Sequence, residues 1–244
     1  MRRSWPFLVY AAVVLVHLVL IALESPARTY SKWALMPVLL FAVLGALLPS
    51  SGASGERAAD DPVRSGRRSS LAVMLLALGI VFSWAGDVLL GPTFVVGLAS
   101  FALAHVVFIA LFLGPAKARR IPWWVFVYLI WYAVLIPILW PRLGELALVV
   151  AVYGLVLAGT AATAVGVNAL AAWGGLLFLA SDSLLAFRLF WPDFGAAFPD
   201  PWQDLAIMAL YCAGEGLIAM GIVRRLAADR RTASPPPLAP GAAR

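Results

Sequence analysis

The chain has 244 residues, 63% of them hydrophobic and only 12% charged, with a mean hydropathy of +0.94 and a formal net charge of +6. Soluble domains carry about 25% charged residues, so this composition excludes a soluble fold, which would lack the polar side chains to cover its surface. A single cysteine, Cys212, excludes a disulfide within the chain and argues against thiolate metal chemistry.

Apolar runs long enough to span a bilayer, about 17–23 residues each, occur eight times: near 7–23, 33–49, 71–90, 93–113, 122–140, 144–165, 170–190 and 203–225. The first follows Arg2-Arg3-Ser4-Trp5-Pro6 and has no small-residue cleavage site before Glu24, so it reads as a retained span rather than a signal peptide. Pro137 is expected to kink or end the fifth. The sixth carries Gly154, Gly159, Thr160, Ala161, Ala162 and Thr163, a surface suited to close helix packing. Gly91-Pro92 separates spans three and four, and Gly166 with Asn168 ends span six. The segment 49–70 reads as a polar loop, and 227–244, rich in Pro and Ala, as a disordered tail after a single domain over 1–226.

Charge fixes the expected orientation. With the N-terminus inside, 14 of the Lys and Arg residues fall on inner segments and only Arg28, Lys32, Arg142 and Arg188 on outer ones. Lys and Arg remain on the cytoplasmic side. The expected fold is therefore an all-α polytopic bundle of eight transmembrane helices with both termini cytoplasmic, in the cell membrane. The basic residues flank spans, so anionic lipid headgroups account for them better than nucleic acid does.

Ionisable residues inside the spans are where chemistry is to be sought. An Asp at the bilayer centre costs roughly 2.5–3.5 kcal/mol on insertion scales. Asp87 lies near the outer end of span three, with Ser83 one turn earlier and Gly86 beside it. Asp182 is about 12 Å from the outer end of span seven at 1.5 Å per residue, flanked by Ser181 and Ser183. His105 sits midway along span four, and Glu215 follows Tyr211 by four residues in span eight, on one face. Glu24 and Lys32 bracket the first outer loop, where a surface ion pair is the default reading. His17 reads as packing; Tyr153 and Thr160 share one face of span six, where packing is the first reading and a cavity lining the alternative. The topology places Asp87, Asp182, Glu24 and Lys32 in the outer half and His105 and Glu215 near mid-depth, so these groups are expected to converge on one outward-opening cavity.

Gly86-Asp87-Val88-Leu89-Leu90, Phe101-(x)2-Ala104-His105 and Ser181-Asp182-Ser183-Leu184-Leu185-Ala186 resemble, in order and in placement, the signature of the YhhN family, the multi-pass family that includes the lysoplasmalogenases. The likeness extends from Lys32 to Tyr211-(x)3-Glu215. Phe108 stands where the family has a tyrosine, Glu215 where it has a glutamine, and Lys32 lacks a following proline, Pro37 coming five residues later.

The resemblance implies hydrolysis of the vinyl-ether bond of a lysoplasmalogen to a fatty aldehyde and a glycerophospho-alcohol, without cofactor or metal. Enol ethers are cleaved by protonation at the β-carbon, giving an oxocarbenium ion that water captures. Burial disfavours ionised carboxyls, and a neighbouring carboxylate does so further, so two Asp side chains in one apolar cavity can divide into acid and base. On this reading Asp182 is the general acid, Asp87 the ionised partner that orients water, and His105 orients a carboxylate or relays a proton. Lys32, Glu24, Tyr211, Glu215 and Ser181 are the substrate-binding candidates, with Lys32 at the phosphate. The partners are the lysophospholipid substrate and membrane lipids; the sequence is silent on oligomeric state. The alternative of another class is a small-molecule or lipid transporter with proton-coupling carboxylates, against which stands the lack of a convincing internal repeat. An intramembrane aspartyl protease is disfavoured by Trp84, which stands where a glycine is needed, and a Zn²⁺-assisted hydrolase by the shortage of histidines.

Overall fold

The computed structural model describes residues 5–47 and 62–232. All regular structure among them is helical: α1 (Trp5–Ala22), α2 (Arg28–Leu47), α3 (Pro62–Leu89), α4 (Phe94–Leu113), α5 (Phe126–Leu143), α6 (Ala147–Ala164), α7 (Ala169–Phe190), the short α8 (Pro192–Ala197) and α9 (Trp202–Thr232). Seven described segments are long and apolar enough to cross a membrane, and one of these, Trp123–Ala164, has 42 residues. A straight helix of that length would reach about 63 Å, twice the hydrocarbon thickness. Instead it turns back through a 3₁₀ turn at Gly144–Leu146, with Gly144 at φ +54°. In α6, Gly154 then lies so close to α5 that a Cβ there would meet Ile136 Cδ1 at 3.4 Å. Eight helices of membrane-spanning length result among the described residues.

Several boundaries differ from expectation for identifiable reasons. Pro137 does not end α5, which passes through both Pro137 and Pro141 to Leu143; within a packed bundle, neighbours re-satisfy the backbone groups a proline frees. Residues 62–70, expected as loop, form the start of α3, where Arg68 donates to Pro115 O at 3.0 Å and Lys117 O at 3.1 Å. The remainder of that expected loop, 49–61, lies outside the described residues. α9 runs past residue 225 to Thr232, and the rest of the expected tail, 233–244, also lies outside them. Asn168 proves to be the N-cap of α7, its side chain accepting from Ala171 N at 3.0 Å while donating to Gly221 O at 2.8 Å.

Close helix approach sets the architecture. A Cβ on Gly174 of α7 would stand 2.7 Å from Gly214 O of α9, so these two backbones nearly touch. α3 and α4 meet through Gly79 and Gly86, seven residues apart, which receive the rings of Phe108 and Phe101. The core they enclose includes Leu35, Met36, Leu39, Phe108, Phe112, Phe178, Ile218 and Ile222. A smaller cluster of Leu98, Leu135, Leu139, Leu143 and Val150 ties α4, α5 and α6 together. At one end of the bundle, where α3 and α7 finish and α2, α4, α6 and α9 begin, the helices part and leave a cavity.

Candidate active site

The cavity measures about 200 Å³ and is walled by side chains of α2, α3, α4, α6, α7 and α9. Both Asp87 and Asp182 line it, as do Lys32, Tyr153, Ser181 and Tyr211. Its remaining wall is largely apolar, with Phe94, Leu98, Phe101, Leu185 and Met208 among the contributors.

Each aspartate is held by a phenol. Asp87, with a side chain only 3% exposed, accepts from Tyr211 OH through Oδ2 at 2.8 Å, and its Oδ1 lies 3.4 Å from Lys32 Nζ. Lys32 thus meets Asp87 and not Glu24, correcting the expected surface pair. The reason is reach: Lys32 sits in the second turn of α2, beside the closing turn of α3. Glu24 stands exposed in the α1–α2 loop at φ +49° and does not line the cavity.

Asp182 accepts a hydrogen bond from Tyr153 OH through Oδ2. Behind this pair His105, fully buried, places Nε2 at 3.3 Å from Tyr153 OH and 4.0 Å from Asp182 Oδ2. Its ring is packed edge-on against Phe178, and Nδ1 has no partner. His105 therefore stands outside the cavity lining, joined to it by hydrogen bond through Tyr153 and at longer range by Asp182. The hydroxyls beside Asp182 do not bind it: Ser181 donates to Ile207 O at 2.9 Å and Ser183 to Leu179 O at 2.6 Å. Hydroxyls on a helix turn readily to backbone carbonyls, which leaves the carboxylate to the opposite helix.

Glu215 and Tyr211 do share a face of α9, yet they do not bond to each other. Glu215 accepts from Ser83 at 2.6 Å through Oε1, one turn deeper than the Tyr211–Asp87 contact, and its Oε2 is buried without a partner. It lies outside the cavity lining. His17 bonds Ser31 at 2.8 Å and does not line the cavity.

Tyr153, read from the sequence first as packing, proves to line the cavity, and a phenol in an otherwise apolar span is the same kind of signal as an intramembrane carboxylate. Two further lining residues, Arg188 and Asp204, carry no weight in the sequence reading. At the mouth of the cavity, Arg188 donates to Asp204 and, at 3.2 Å, to Asp200, while Arg28 approaches Asp204 at 3.7 Å. Arg188 and Asp204 both line the opening. No group of three or more His, Cys, Asp or Glu side chains able to hold a metal gathers among the described residues.

The arrangement presents two carboxyl groups to one small, largely apolar space, one with a cation as neighbour and the other with only a phenol and an imidazole. Such unlike environments are what separates an acid from a base.

Comparison with known proteins places the chain in a family. The human protein lysoplasmalogenase TMEM86B is 33% identical over 153 residues, 62% of this chain; the alignment spans 64% of that protein's length. No solved structure matches. The sequence profile of the YhhN family matches residues 28–222, a stretch that holds all four helices bearing Lys32, Asp87, Tyr153 and Asp182 as well as Tyr211, and the chain belongs to that family.

Proposed function

We propose that this chain is a membrane-embedded hydrolase that cleaves the vinyl-ether bond of a lysoplasmalogen. The observation that carries the reading is the meeting of Asp87 and Asp182 in one cavity, each tied to a tyrosine from another helix.

Asp182 delivers a proton to the β-carbon of the enol ether, and the positive charge appears at the α-carbon and ether oxygen. Tyr153 occupies Oδ2 of Asp182, which leaves Oδ1 to face the substrate. Water adds to the α-carbon while Asp87 takes its proton, with Lys32 as counter-charge and Tyr211 fixing the carboxylate. The resulting hemiacetal loses its hydroxyl proton to one carboxylate as the other acid protonates the glyceryl oxygen. Aldehyde and glycerophospho-alcohol leave, and both aspartates return to their starting states. The chemistry parallels oxocarbenium formation between paired carboxyls in glycosidases.

Lys32 is engaged with Asp87 in this scheme, and Arg188, whose guanidinium holds Asp204 and the exposed Asp200 at the mouth, takes the phosphate in exchange for Asp200. Asp182 and Arg188 are six residues apart on one helix, an axial rise of about 9 Å. From the protonated carbon to phosphorus the substrate has seven bonds, about 8 Å at the advance of an extended chain. The headgroup then lies at the mouth and the alkenyl bond at the carboxylates.

Purified protein incubated with a lysoplasmalogen and with its acyl and alkyl analogues tests the reading. Aldehyde is expected from the vinyl ether alone, and its release should fall at least about 100-fold in Asp87→Asn and in Asp182→Asn, both of which remain folded. Ester cleavage, or turnover that survives both substitutions, would refute it.

A further inference from the structure

A second hollow lies at the opposite end of the bundle, between α5 and α7. Each of these helices packs against α6: Gly154 brings α6 to Ile136 of α5, and Gly175 of α7 sits where a Cβ would be 3.0 Å from Ala161 Cα. Between them a cleft of about 550 Å³ remains, larger than the aspartate cavity and separate from it in lining. Trp124, Val127 and Trp131 form one wall, and Ala172, Trp173 and Leu176 the other. The spacings are helical, so each wall is one continuous face. Trp124 and Trp173 are exposed, at 46% and 60%.

Among the described residues, the one charged side chain lining this apolar cleft is that of Arg119. Its backbone N–H donates to Gly166 O at 3.0 Å, and its side-chain Nε donates to Val165 O at 2.7 Å. The guanidinium is thereby anchored over the α6–α7 turn by Nε, with both terminal nitrogens available among the described residues. A planar guanidinium presenting paired N–H groups suits a phosphate. Lys117 and Arg120 lie beside Arg119 in sequence, and no carboxylate among the described residues lines the cleft. A headgroup bearing its own ammonium would therefore meet only cations. From Ala169 to Leu179 the cleft follows α7 for about 15 Å, a length matched by about 12 bonds of extended alkyl chain.

We propose that this cleft is a binding site for an anionic phospholipid, its phosphate on Arg119 and one acyl chain between α5 and α7. The site is independent of the hydrolytic reading and is occupied whether or not the protein turns over a vinyl ether.

Tryptophan quenching by brominated lipid reads the occupancy. Protein in phosphatidylcholine nanodiscs would be titrated with dibrominated phosphatidylglycerol and, separately, with dibrominated phosphatidylcholine at equal mole fraction. Half-quenching of a Trp subset is expected at several-fold lower mole fraction of the anionic lipid. Replacing Trp124, Trp131 and Trp173 by Phe should remove that subset. Arg119→Gln should abolish the preference. Because Arg119 also anchors a loop, Ala172→Phe provides a second route, filling the cleft while leaving the guanidinium untouched. Equal quenching by the two lipids, or a preference that survives both variants in protein eluting like wild type, would overturn the assignment.

Discussion

Tyr153→Phe removes one oxygen atom and nothing else, which makes it the sharpest probe of the proposed acid. The phenol donates to Asp182 Oδ2 and is 3.3 Å from His105 Nε2. Hydrogen bonds to charged groups contribute about 1.5–3 kcal/mol, and each 1.36 kcal/mol of barrier is tenfold in rate, so turnover should fall by about 10- to 150-fold. His105 Nε2 stands only 4.0 Å from the same oxygen and can close on it when the phenol is gone, which places the expected loss toward the lower end. Asp182→Asn removes the proton donor itself and should cost about 10²- to 10⁴-fold, the range of general acid catalysis. The decisive comparison is the double variant. If Tyr153 works only by aiming Asp182, adding Tyr153→Phe to Asp182→Asn changes nothing further, and the coupling energy equals the whole single-variant effect. Initial rates of aldehyde release from a vinyl-ether lysolipid would supply all four corners of the cycle. A tenfold further drop in the double variant, or a Tyr153→Phe enzyme as fast as wild type, would refute the reasoning.

Removing one half of a buried ion pair costs about 3–5 kcal/mol; because the Lys32 side chain is 29% exposed, Lys32→Met should fall at the low end, and Asp87→Asn on the same chain should recover most of the loss in a thermal melt. Gly174→Ala forces a methyl against Gly214 O and Ile218 N, both backbone atoms, and should destabilise by about 1–3 kcal/mol or more, whereas Gly91→Ala, with open space around it, should melt like wild type. Membrane orientation is checked by impermeant maleimide on whole cells: Cys212 is fully buried and silent, so Glu24→Cys should be labelled and Lys117→Cys should not, and the reverse pattern would turn the cavity mouth inward.

The spans were legible because hydropathy is a property of single helices. Even the hairpin α5–α6, merged by its 3₁₀ turns into one 42-residue stretch, could be divided by length alone. Asp87 and Asp182 were legible for the same reason, since a carboxylate in an apolar run is conspicuous whatever surrounds it. Pairings were not, because they depend on which faces meet. Lys32 reads as the neighbour of Glu24 along the chain but is the partner of Asp87 across α2 and α3. Tyr211 and Glu215 are neighbours on α9 but turn to different residues of α3, Asp87 and Ser83. Tyr153 reads first as packing because a lone phenol in a span is compatible with it, and only the approach of α7 to α6 gives its hydroxyl a carboxylate.

Local helix electrostatics shows why the Lys32–Asp87 pair calls for an explanation beyond folding. Anions are favoured at helix N-termini and cations at C-termini, by about 0.3–1 kcal/mol each. Asp87 occupies the last turn of α3 and Lys32 the early turns of α2, so each charge sits toward the disfavoured end of its own helix. Exchanging the two would suit both dipoles, and two apolar residues would avoid the cost of burying charge altogether. A sequence that breaks a local rule twice, in residues 3.4 Å apart that line the same cavity, is under a constraint that neither helix supplies. The proposed reaction would meet that constraint, since it needs a carboxylate facing a developing cation, with its counter-charge fixed beside it and its second oxygen held by Tyr211.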